Sequence, residues 1–229
     1  MKNHNREVYK FFNKTDNYLH KTFGVRVRSK IVNELLGNIS NKNILDVGCG
    51  NGLISLKYAK FNKLTLVDIS DKMLGLAKAN AQLMGIDSID YHKGSIEDFD
   101  PSKKYDVIIV IGILSHLKSI RSTIIKLKKI LSKEGDIIIQ FSDYTSMITK
   151  MNIYLSKRKY AINRLTKNKM LQIIDSCGFD LKSEIQYSIL FPGMGRLPDK
   201  VLYYITMLTY QNSFLSKRGT EFIWHLKKK

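Results

Sequence analysis

Three glycines at alternate positions form the stretch of this sequence with the clearest chemical meaning. Gly48, Gly50 and Gly52 follow directly after a short apolar run at 44–47. Glycines allow a tight turn with positive φ and let the backbone approach a ligand closely. Asp68 lies sixteen residues beyond Gly52, at the end of the next apolar run, and a carboxylate there can accept both hydroxyls of a ribose. The spacing therefore predicts a nucleoside-binding site.

The sequence pattern around these residues predicts the strands and helices of an α/β fold. The run 44–47 suits a strand buried on both faces, and the apolar periodicity of 54–59 predicts a helix after the glycines. Residues 71–85 predict a second helix with a polar N-cap and a terminal glycine. From 40 to 143 strands and helices alternate regularly, which is typical of parallel strands joined by crossover helices.

The glycine spacing also bears on which nucleoside is bound. The dinucleotide fingerprint G-x-G-x-x-G has its third glycine three residues after the second, and Leu53 stands there instead. This departure disfavours the alternative interpretation, an NAD-type or structural Rossmann domain. With Asp46 included, the string D-V-G-C-G-N-G resembles the first motif of class I S-adenosylmethionine (SAM) dependent methyltransferases.

The resemblance to this family continues along the chain with its motifs in the family's order. Residues 67–70 together with Met73 resemble the second motif, and 94–98 resemble the segment that flanks the adenine. Residues 105–109 look like the fourth strand, and 127–139 look like the helix and strand that follow it. The resemblance implies an α/β, Rossmann-like, doubly wound seven-stranded sheet with its last strand antiparallel, an N-terminal helical cap, and two insertions near the acceptor site.

The predicted organisation is a single methyltransferase domain over 1–229. Residues 1–38 form the N-terminal helical cap and 40–143 the SAM-binding core, while 144–165 and 190–219 are insertions on the acceptor side. The second insertion carries an apolar helix with three tyrosines. This helix either packs against the first insertion or meets a lipid surface or hydrophobic acceptor, since basic residues flank it.

The resemblance also implies which residues bind the cofactor. The glycine loop approaches its amino-acid part and ribose, two isoleucines sandwich the adenine, and Ser95 or Glu97 meets the adenine amino edge. The predicted cofactor-binding residues are Asp46, Gly48, Cys49, Gly50, Gly52, Asp68, Ile69, Met73, Ser95, Ile96, Glu97, Ile111 and Gly112. Tyr9, Tyr18 and Arg28 are further candidates for contacts with the cofactor carboxylate.

A catalytic base for the acceptor is predicted at His116. It lies just after the predicted fourth strand, where related methyltransferases that act on quinone-type phenols carry Glu-His, and a histidine can take a hydroxyl proton near neutral pH. The alternative is a histidine at a helix start that packs near the cleft without a proton role. Because Ser115 stands where those relatives have Glu, no metal site is predicted.

The resemblance implies a SAM-dependent methyltransferase that methylates a small-molecule or carrier-linked acceptor, at oxygen and by SN2 transfer. The basic composition and the apolar insertion favour a phosphorylated, nucleotide-linked or lipid-linked acceptor. The alternatives are an RNA methyltransferase and a non-catalytic SAM-binding module. Nucleic acid is the less favoured partner for two reasons. Residues 111–114 lack the Asn/Asp/Ser-Pro-Pro-aromatic motif of amino-methyltransferases, and neither Cys49 nor Cys177 lies where a C5-pyrimidine methyltransferase needs its nucleophile.

The composition bears on partners and location. Lys and Arg number 38 against 20 Asp and Glu, a formal net charge of +18, which favours an anionic partner such as nucleic acid, an anionic membrane surface or a phosphorylated substrate. The alternative is compositional, because the lysines are spread along the whole chain. The two cysteines do not indicate a disulfide framework, and the sequence shows neither a signal peptide nor an apolar run of about eighteen residues, so a cytoplasmic protein is predicted.

Overall fold

A seven-stranded sheet runs through the computed structural model, which describes residues 3–14, 22–155 and 163–229. The strands are β1 Asn43–Val47, β2 Lys63–Asp68, β3 Ile89–Lys93, β4 Tyr105–Val110, β5 Leu131–Ser142, β6 Phe179–Tyr187 and β7 Glu221–Lys228. Their order is β3-β2-β1-β4-β5-β7-β6, with β7 antiparallel to both neighbours and the other pairs parallel. This confirms the predicted sheet and its antiparallel last strand.

Helices connect these strands and cover the sheet. They are α1 Asn3–Lys14, α2 Phe23–Leu36, α3 Asp71–Leu83, α4 Ile120–Ile130, α5 Met147–Tyr154, α6 Lys167–Ser176, α7 Asp199–Gln211 and α8 Ser213–Ser216. Short 3₁₀ segments lie at Leu56–Phe61, Leu114–His116 and Met194–Arg196. The predicted N-cap of α3 is confirmed at Ser70, whose hydroxyl accepts a hydrogen bond from the Met73 N–H at 3.2 Å.

The alternating direction of side chains along each strand divides the core into two layers. On β1, Leu45 belongs to one buried cluster and Ile44 to the other, and on β4 Ile108 and Ile109 divide in the same way. Because both faces of these strands are apolar, both must be covered by other elements. This is why the central strands are continuous apolar runs in the sequence.

The segment after the glycine loop differs from its prediction. It forms turns followed by the 3₁₀ segment Leu56–Phe61, so the predicted helix is of the 3₁₀ type and begins later than its apolar pattern at 54–59. Bonds between residues three apart run from Ser55 N to the Gly52 carbonyl at 3.1 Å and from Tyr58 N to the Ser55 carbonyl at 2.9 Å, and a bond between residues four apart runs from Leu56 N to the Gly52 carbonyl at 3.0 Å. Gly52 has a φ of +77°, and ten residues separate it from Lys63 at the start of β2. The connection between the glycine loop and β2 is therefore made of turns and 3₁₀ structure.

The apolar helix of the second insertion is confirmed as α7. Within the described residues it packs against α2. Asp199 Oδ1 accepts a hydrogen bond from the Phe23 N–H at 2.9 Å, and the Arg26 guanidinium lies 4.4 Å from the centre of the Tyr203 ring. The insertion thereby fixes the start of α2.

The first insertion and the N-terminal cap are described in part. The first insertion contributes α5, and its Asn152 Nδ2 donates to the Leu190 carbonyl at 3.0 Å. Tyr18 and residues 156–162 lie outside the described residues, and so do the predictions made for them. Among the helices described, none has the length and apolar character needed to cross a membrane.

Candidate active site

A cavity lies at the carboxyl ends of β1, β2 and β4, the edge at which open α/β sheets bind ligands. The glycine loop, the ends of these strands and parts of α1 and α2 line it. The predicted residues found there are Arg28, Asp46, Gly48, Cys49, Gly50, Asp68, Ile69, Met73, Ser95, Ile96, Glu97, Ile111, Gly112 and His116. Of the predicted site residues that the structure describes, only Gly52 and Tyr9 do not line the cavity.

Backbone amides hold Asp68 at the end of β2. Its Oδ2 accepts a hydrogen bond from the Gly50 N–H and its Oδ1 accepts one from the Ser70 N–H, each at 2.9 Å. Burial raises the pKa of this carboxyl, and the bonds from the backbone amides oppose that rise. Each oxygen keeps a further lone pair. The carboxylate, 8% exposed, can therefore accept two hydroxyls of a ribose.

The glycine loop has the conformation that its sequence predicts. Gly48, Gly50 and Gly52 have φ values of +68°, +55° and +77°, which other residues adopt only at a cost. A Cβ at Gly48 would lie 2.1 Å from Ile113 Cγ2, and one at Gly52 would lie 2.9 Å from Leu56 Cδ1. A Cβ at Gly50 would meet nothing within 4 Å. Gly50 therefore leaves the ligand side of the loop open, while Gly48 and Gly52 allow the loop to pack closely on the protein.

Asp46 is a second buried carboxyl in this cavity, 2% exposed. Its Oδ2 accepts a hydrogen bond from Ser55 Oγ at 2.6 Å. Burial raises the pKa of Asp46 to about 7, the bond from Ser55 opposes the rise, and the neighbouring charge of Asp68 adds to it. Since Asp46 precedes the glycine loop and Ser55 follows it, the bond joins the two ends of the loop.

Apolar side chains form a slot in the part of the cavity beyond β2. Ile69, Met73 and Ile96 line it, and the last two are buried. Ser95 lies at the same place, where its Oγ donates to Asp98 Oδ2 at 2.9 Å. A flat aromatic base gains most from apolar contact on its faces with a polar group at its edge, and this part of the cavity wall supplies residues of both kinds.

The helix α1 covers the cavity. Val8 and Phe12 of this helix line it. Tyr9 instead donates from its hydroxyl to Asp71 Oδ2 at 3.2 Å, and Asp71 also pairs with Lys93 at 2.7 Å. The bond from Tyr9 attaches α1 to the start of α3, so Tyr9 holds the covering helix in place and does not line the cavity.

Arg28 reaches the cavity from α2. Its Nε donates to the Tyr187 hydroxyl at 3.2 Å, and its Nη2 lies 3.9 Å from Glu221 Oε2. Its Nη1 lies beside Gly112, 3.3 Å from the position that a Cβ would take there. A guanidinium carries five donors in a fixed fork. Arg28 is therefore suited to hold a carboxylate next to the end of β4.

His116 lies in the 3₁₀ segment after β4 and lines the cavity. Its ring packs edge-on against Phe12, with the ring centroids 5.4 Å apart, and its carbonyl oxygen lies 2.7 Å from His4 Nε2. Asn163 of the first insertion supports the same segment, because its N–H donates to the Ser115 carbonyl at 2.8 Å. Contacts from α1 and from the first insertion thus place the imidazole at the cavity wall.

Several lining residues carry no sequence signal of their own. They are Asn5, Val8 and Phe12 of α1 and Ile113 and Leu117 after β4. The sequence predicts helical structure before β1 but does not show which face of that helix meets the sheet. No described residue of either insertion lines the cavity, so the insertions support the lining elements instead of forming the wall themselves.

The groups in the cavity fit S-adenosylmethionine part by part. Asp68 offers hydrogen-bond acceptors, the apolar residues offer a wall without charge and Arg28 offers N–H donors, which are the groups that a ribose, an adenine and a carboxylate require. Buried carboxyls at Asp46 and Asp68 also favour a cationic ligand. Among the side chains described, no group of three or more His, Cys, Asp or Glu is arranged to hold a metal ion.

Comparison with known proteins gives the family. The family model described as a methyltransferase domain matches residues 38–188, about two thirds of the chain. The chain therefore belongs to this family, and its seven-stranded sheet has the order and the antiparallel last strand expected of a class I methyltransferase.

Relatives and solved structures agree with this assignment. A ubiquinone biosynthesis O-methyltransferase of Rickettsia conorii is 31% identical over 137 residues, which cover 59% of this chain and 46% of that protein. The magnesium protoporphyrin IX methyltransferase of Synechocystis PCC 6803, solved with S-adenosylhomocysteine (SAH), aligns over 99% of this chain and 100% of that one, with a TM-score of 0.71 at 16% identity. The N-methyltransferase NodS of Bradyrhizobium japonicum, also solved with SAH, covers 99% of each chain with a TM-score of 0.66 at 14% identity. At these identities the structures establish the fold alone, and the chain matches about half the length of the Rickettsia relative.

Proposed function

We propose that this protein transfers a methyl group from SAM to a hydroxyl oxygen of a small-molecule acceptor. The observation that carries the proposal is the imidazole of His116 on the wall of the cavity, directly after β4. Similarity to a ubiquinone biosynthesis O-methyltransferase supports oxygen as the methylated atom. The glycine loop, Asp68, the apolar slot and Arg28 are proposed to bind the cofactor.

The mechanism needs few protein groups. SAM supplies an electrophilic methyl group when it is bound. The protein holds the acceptor oxygen in line with that methyl group, and such positioning contributes about 7–11 kcal/mol. Val8 and Phe12 cover the reacting atoms and exclude water. As the oxygen–carbon bond forms and the carbon–sulfur bond breaks, His116 accepts the hydroxyl proton.

Substitution of His116 tests this role. With a panel of hydroxylated aromatic acceptors, His116→Gln should lower kcat about 10²–10⁴-fold and leave the Kd for SAH unchanged, because cofactor contacts lie elsewhere. The control is His92→Gln, an exposed histidine of β3 outside the cavity, which should leave both quantities unchanged. Equal kcat in the His116 variant and the unaltered chain would remove His116 from the mechanism.

A small or slender acceptor is supported over a polymer. Phe12, Ile113 and Leu117 give the region near His116 an apolar wall, and α1 covers it. Arg28 is the only Lys or Arg among the described residues that line the cavity, and its guanidinium is assigned to the cofactor carboxylate. An RNA strand would require several phosphate contacts at this edge.

The outer face of α7 supports a lipid-linked acceptor that is reached at an anionic membrane surface. Val201, Tyr204 and Leu208 form one stripe at helical spacing, and the last two are 66% and 64% exposed. The basic residues that flank this stripe are Arg196, Lys200, Lys217 and Arg218. Of these four, only Lys200 lies on α7, and the others lie before α7 and after α8. Exposed apolar residues with basic residues around them favour contact with anionic lipid. A second copy of this chain is disfavoured as the partner because each copy carries a formal net charge of +18.

Cosedimentation with vesicles tests the membrane contact. The protein should pellet with phosphatidylglycerol–phosphatidylcholine vesicles but not with phosphatidylcholine alone, and Leu208→Ser should reduce the bound fraction. Leu83→Ser is the control, since Leu83 is 86% exposed on α3, away from this stripe. Unchanged pelleting of the Leu208 variant would contradict the proposal, and so would a dimer that buries α7.

A cytoplasmic location is proposed together with this function. Cys49 and Cys177 are both free and buried. Free thiols of this kind are typical of proteins in reducing compartments.

A further inference from the structure

A row of polar side chains crosses the end of the sheet beside the cavity. Ser142 of β5 and Tyr187 of β6 are both register partners of Glu221 on β7. Ser142 Oγ donates to Glu221 Oε1 at 2.7 Å, and Gln140 Nε2 donates to Glu221 Oε2. Strand β5 therefore fixes the Glu221 carboxylate from one side, and Arg28 approaches it from the other.

Tyr187 is the hydrogen-bond partner of Arg28 in this row. The Arg28 Nε donates to the Tyr187 hydroxyl at 3.2 Å, whereas Nη2 lies 3.9 Å from Glu221, too far for a hydrogen bond. Tyr187 is buried, and this burial raises the pKa of its hydroxyl to about 12. The hydroxyl therefore stays neutral and keeps a lone pair for the Arg28 N–H.

The direction of the Arg28 guanidinium decides what it can bind, because the group lies in the cavity beside the end of β4. Its Nη1 lies 3.3 Å from the position of a Cβ at Gly112, and both residues line the cavity. An arginine side chain has many rotamers, and its planar fork binds a carboxylate well only when it faces that group. A partner that holds Nε thus determines where the remaining donors point.

We propose that Tyr187 is a positioning residue, which holds the Arg28 guanidinium in the orientation that takes the carboxylate of SAM, with Glu221 as the fixed anchor beside it. The inference rests on the proposed contact between Arg28 and the cofactor. Tyr187 itself does not line the cavity, so it acts through Arg28. A merely structural tyrosine would support all ligands equally, whereas a positioning tyrosine distinguishes ligands with a carboxylate from those without one.

Calorimetry with two ligands tests this role: SAH, and its decarboxylated analogue, which keeps the nucleoside and the sulfur. Tyr187→Phe removes the hydroxyl without changing the charge. It should weaken SAH binding about tenfold, the usual effect of losing one hydrogen bond to a charged group, and leave binding of the analogue unchanged. In an Arg28→Ala background the same substitution should have no further effect on SAH. Unchanged binding of the analogue also shows that the variant is folded.

Tyr58→Phe is the matched control. Tyr58 is a buried tyrosine of the same core cluster, its hydroxyl lies 3.5 Å from Asn33 Oδ1, and it does not line the cavity. This variant should bind both ligands as the unaltered chain does. If Tyr187→Phe lowered the affinity for both ligands equally, or for neither, the positioning role would be overturned. The proposed cofactor site would not be affected by that result. Failure of the unaltered chain to bind SAH would overturn the cofactor site itself.

Discussion

Asp46 and Asp68 place two buried carboxyls in one cavity, and their contacts assign them different roles. Asp68 accepts hydrogen bonds from two backbone amides, which keep it aimed at a ligand. Asp46 accepts its bond from Ser55 and lies within the electrostatic reach of Asp68. Burial and mutual repulsion disfavour the ionised forms in the empty protein, and a cationic ligand relieves that repulsion. Binding and stability are therefore coupled at these two residues.

At the scale of single residues, the first prediction concerns the pH dependence of stability. The pKa of Asp46 is about 7 in the folded protein and near 3.9 in an unfolded chain, so the folded state holds the extra proton between these values. Stability must then fall as pH rises through that window. Thermal unfolding of the ligand-free protein at pH 5, 6.5 and 8 should show this fall.

Asp46→Asn should reduce this pH dependence and raise the melting temperature at pH 8 by a few degrees, at roughly 2–4 °C per kcal/mol. The control is Asp90→Asn, where pairing with Lys103 lowers the pKa of the carboxyl instead. An unaltered pH slope in the Asp46 variant would show that another group titrates.

The second prediction distinguishes the role of Gly50 in ligand binding from the role of Gly52 in packing. Gly50→Ala should cost about 1–2 kcal/mol of stability through its positive φ and weaken SAH binding at least tenfold, because its open side faces the ligand. Gly52→Ala should lower stability further through contact with Leu56, with a smaller change in the Kd for SAH. Gly85→Ala is the control, with a φ of +66°, open surroundings and no place in the cavity. Equal losses of SAH affinity in all three variants would contradict this division.

At the scale of elements, α1 covers the cavity through contacts that are largely polar. They include the hydrogen bond from Tyr9 to Asp71 and the contacts of Asn13 with Ser70 and the Lys72 N–H, and partly exposed polar bonds contribute little. Val8 and Phe12, by contrast, line the cavity. A helix held in this way can open for ligand exchange and close over the bound cofactor.

Removal of one side chain of α1 tests this cover. Phe12→Ala should increase the dissociation rate of SAH about tenfold, since losing part of a buried aromatic surface costs about 1–2 kcal/mol. Stopped-flow fluorescence with displaced ligand gives this rate. Phe61→Ala removes an aromatic ring that is already exposed and outside the cavity and should have no effect. A rate in the Phe12 variant equal to that of the unaltered chain would show that α1 does not cover the ligand.

The sequence predicts the features of the fold that neighbouring residues encode, and it does not predict contacts between residues far apart in the chain. The strands and the cap at Ser70 follow from apolar runs and single side chains, and they are confirmed. The 3₁₀ form of Leu56–Phe61 does not follow from the apolar periodicity, which indicates a helix but not its type. The partner of α7 and the row that holds Arg28 join residues more than 150 positions apart. No local pattern encodes such contacts, so these parts of the site became visible only in the folded chain.

At the scale of the whole molecule, the net charge is strongly positive, whereas the cavity contains buried acidic side chains. The formal net charge is +18, yet the cavity holds two buried carboxyls. The positive charge therefore lies mostly outside the reaction site. It can attract an anionic surface or substrate without taking part in methyl transfer.

This separation predicts the effect of salt. Raising NaCl from 50 to 300 mM should hardly change the Kd for SAH, because the site is buried, whereas retention of bulk RNA on a filter should fall steeply as counterions compete. Labelled methyl groups should not appear in that RNA. Their incorporation would favour the RNA methyltransferase alternative over a small-molecule acceptor.

Titration calorimetry with SAH tests the central claim most directly, because it needs no acceptor. The account predicts saturable binding with one site per chain, weakened at least tenfold by Asp68→Asn and unchanged by Asp90→Asn, a carboxylate of β3 outside the cavity. Absence of saturable heat in the unaltered chain, or equal binding by the Asp68 variant, would contradict it.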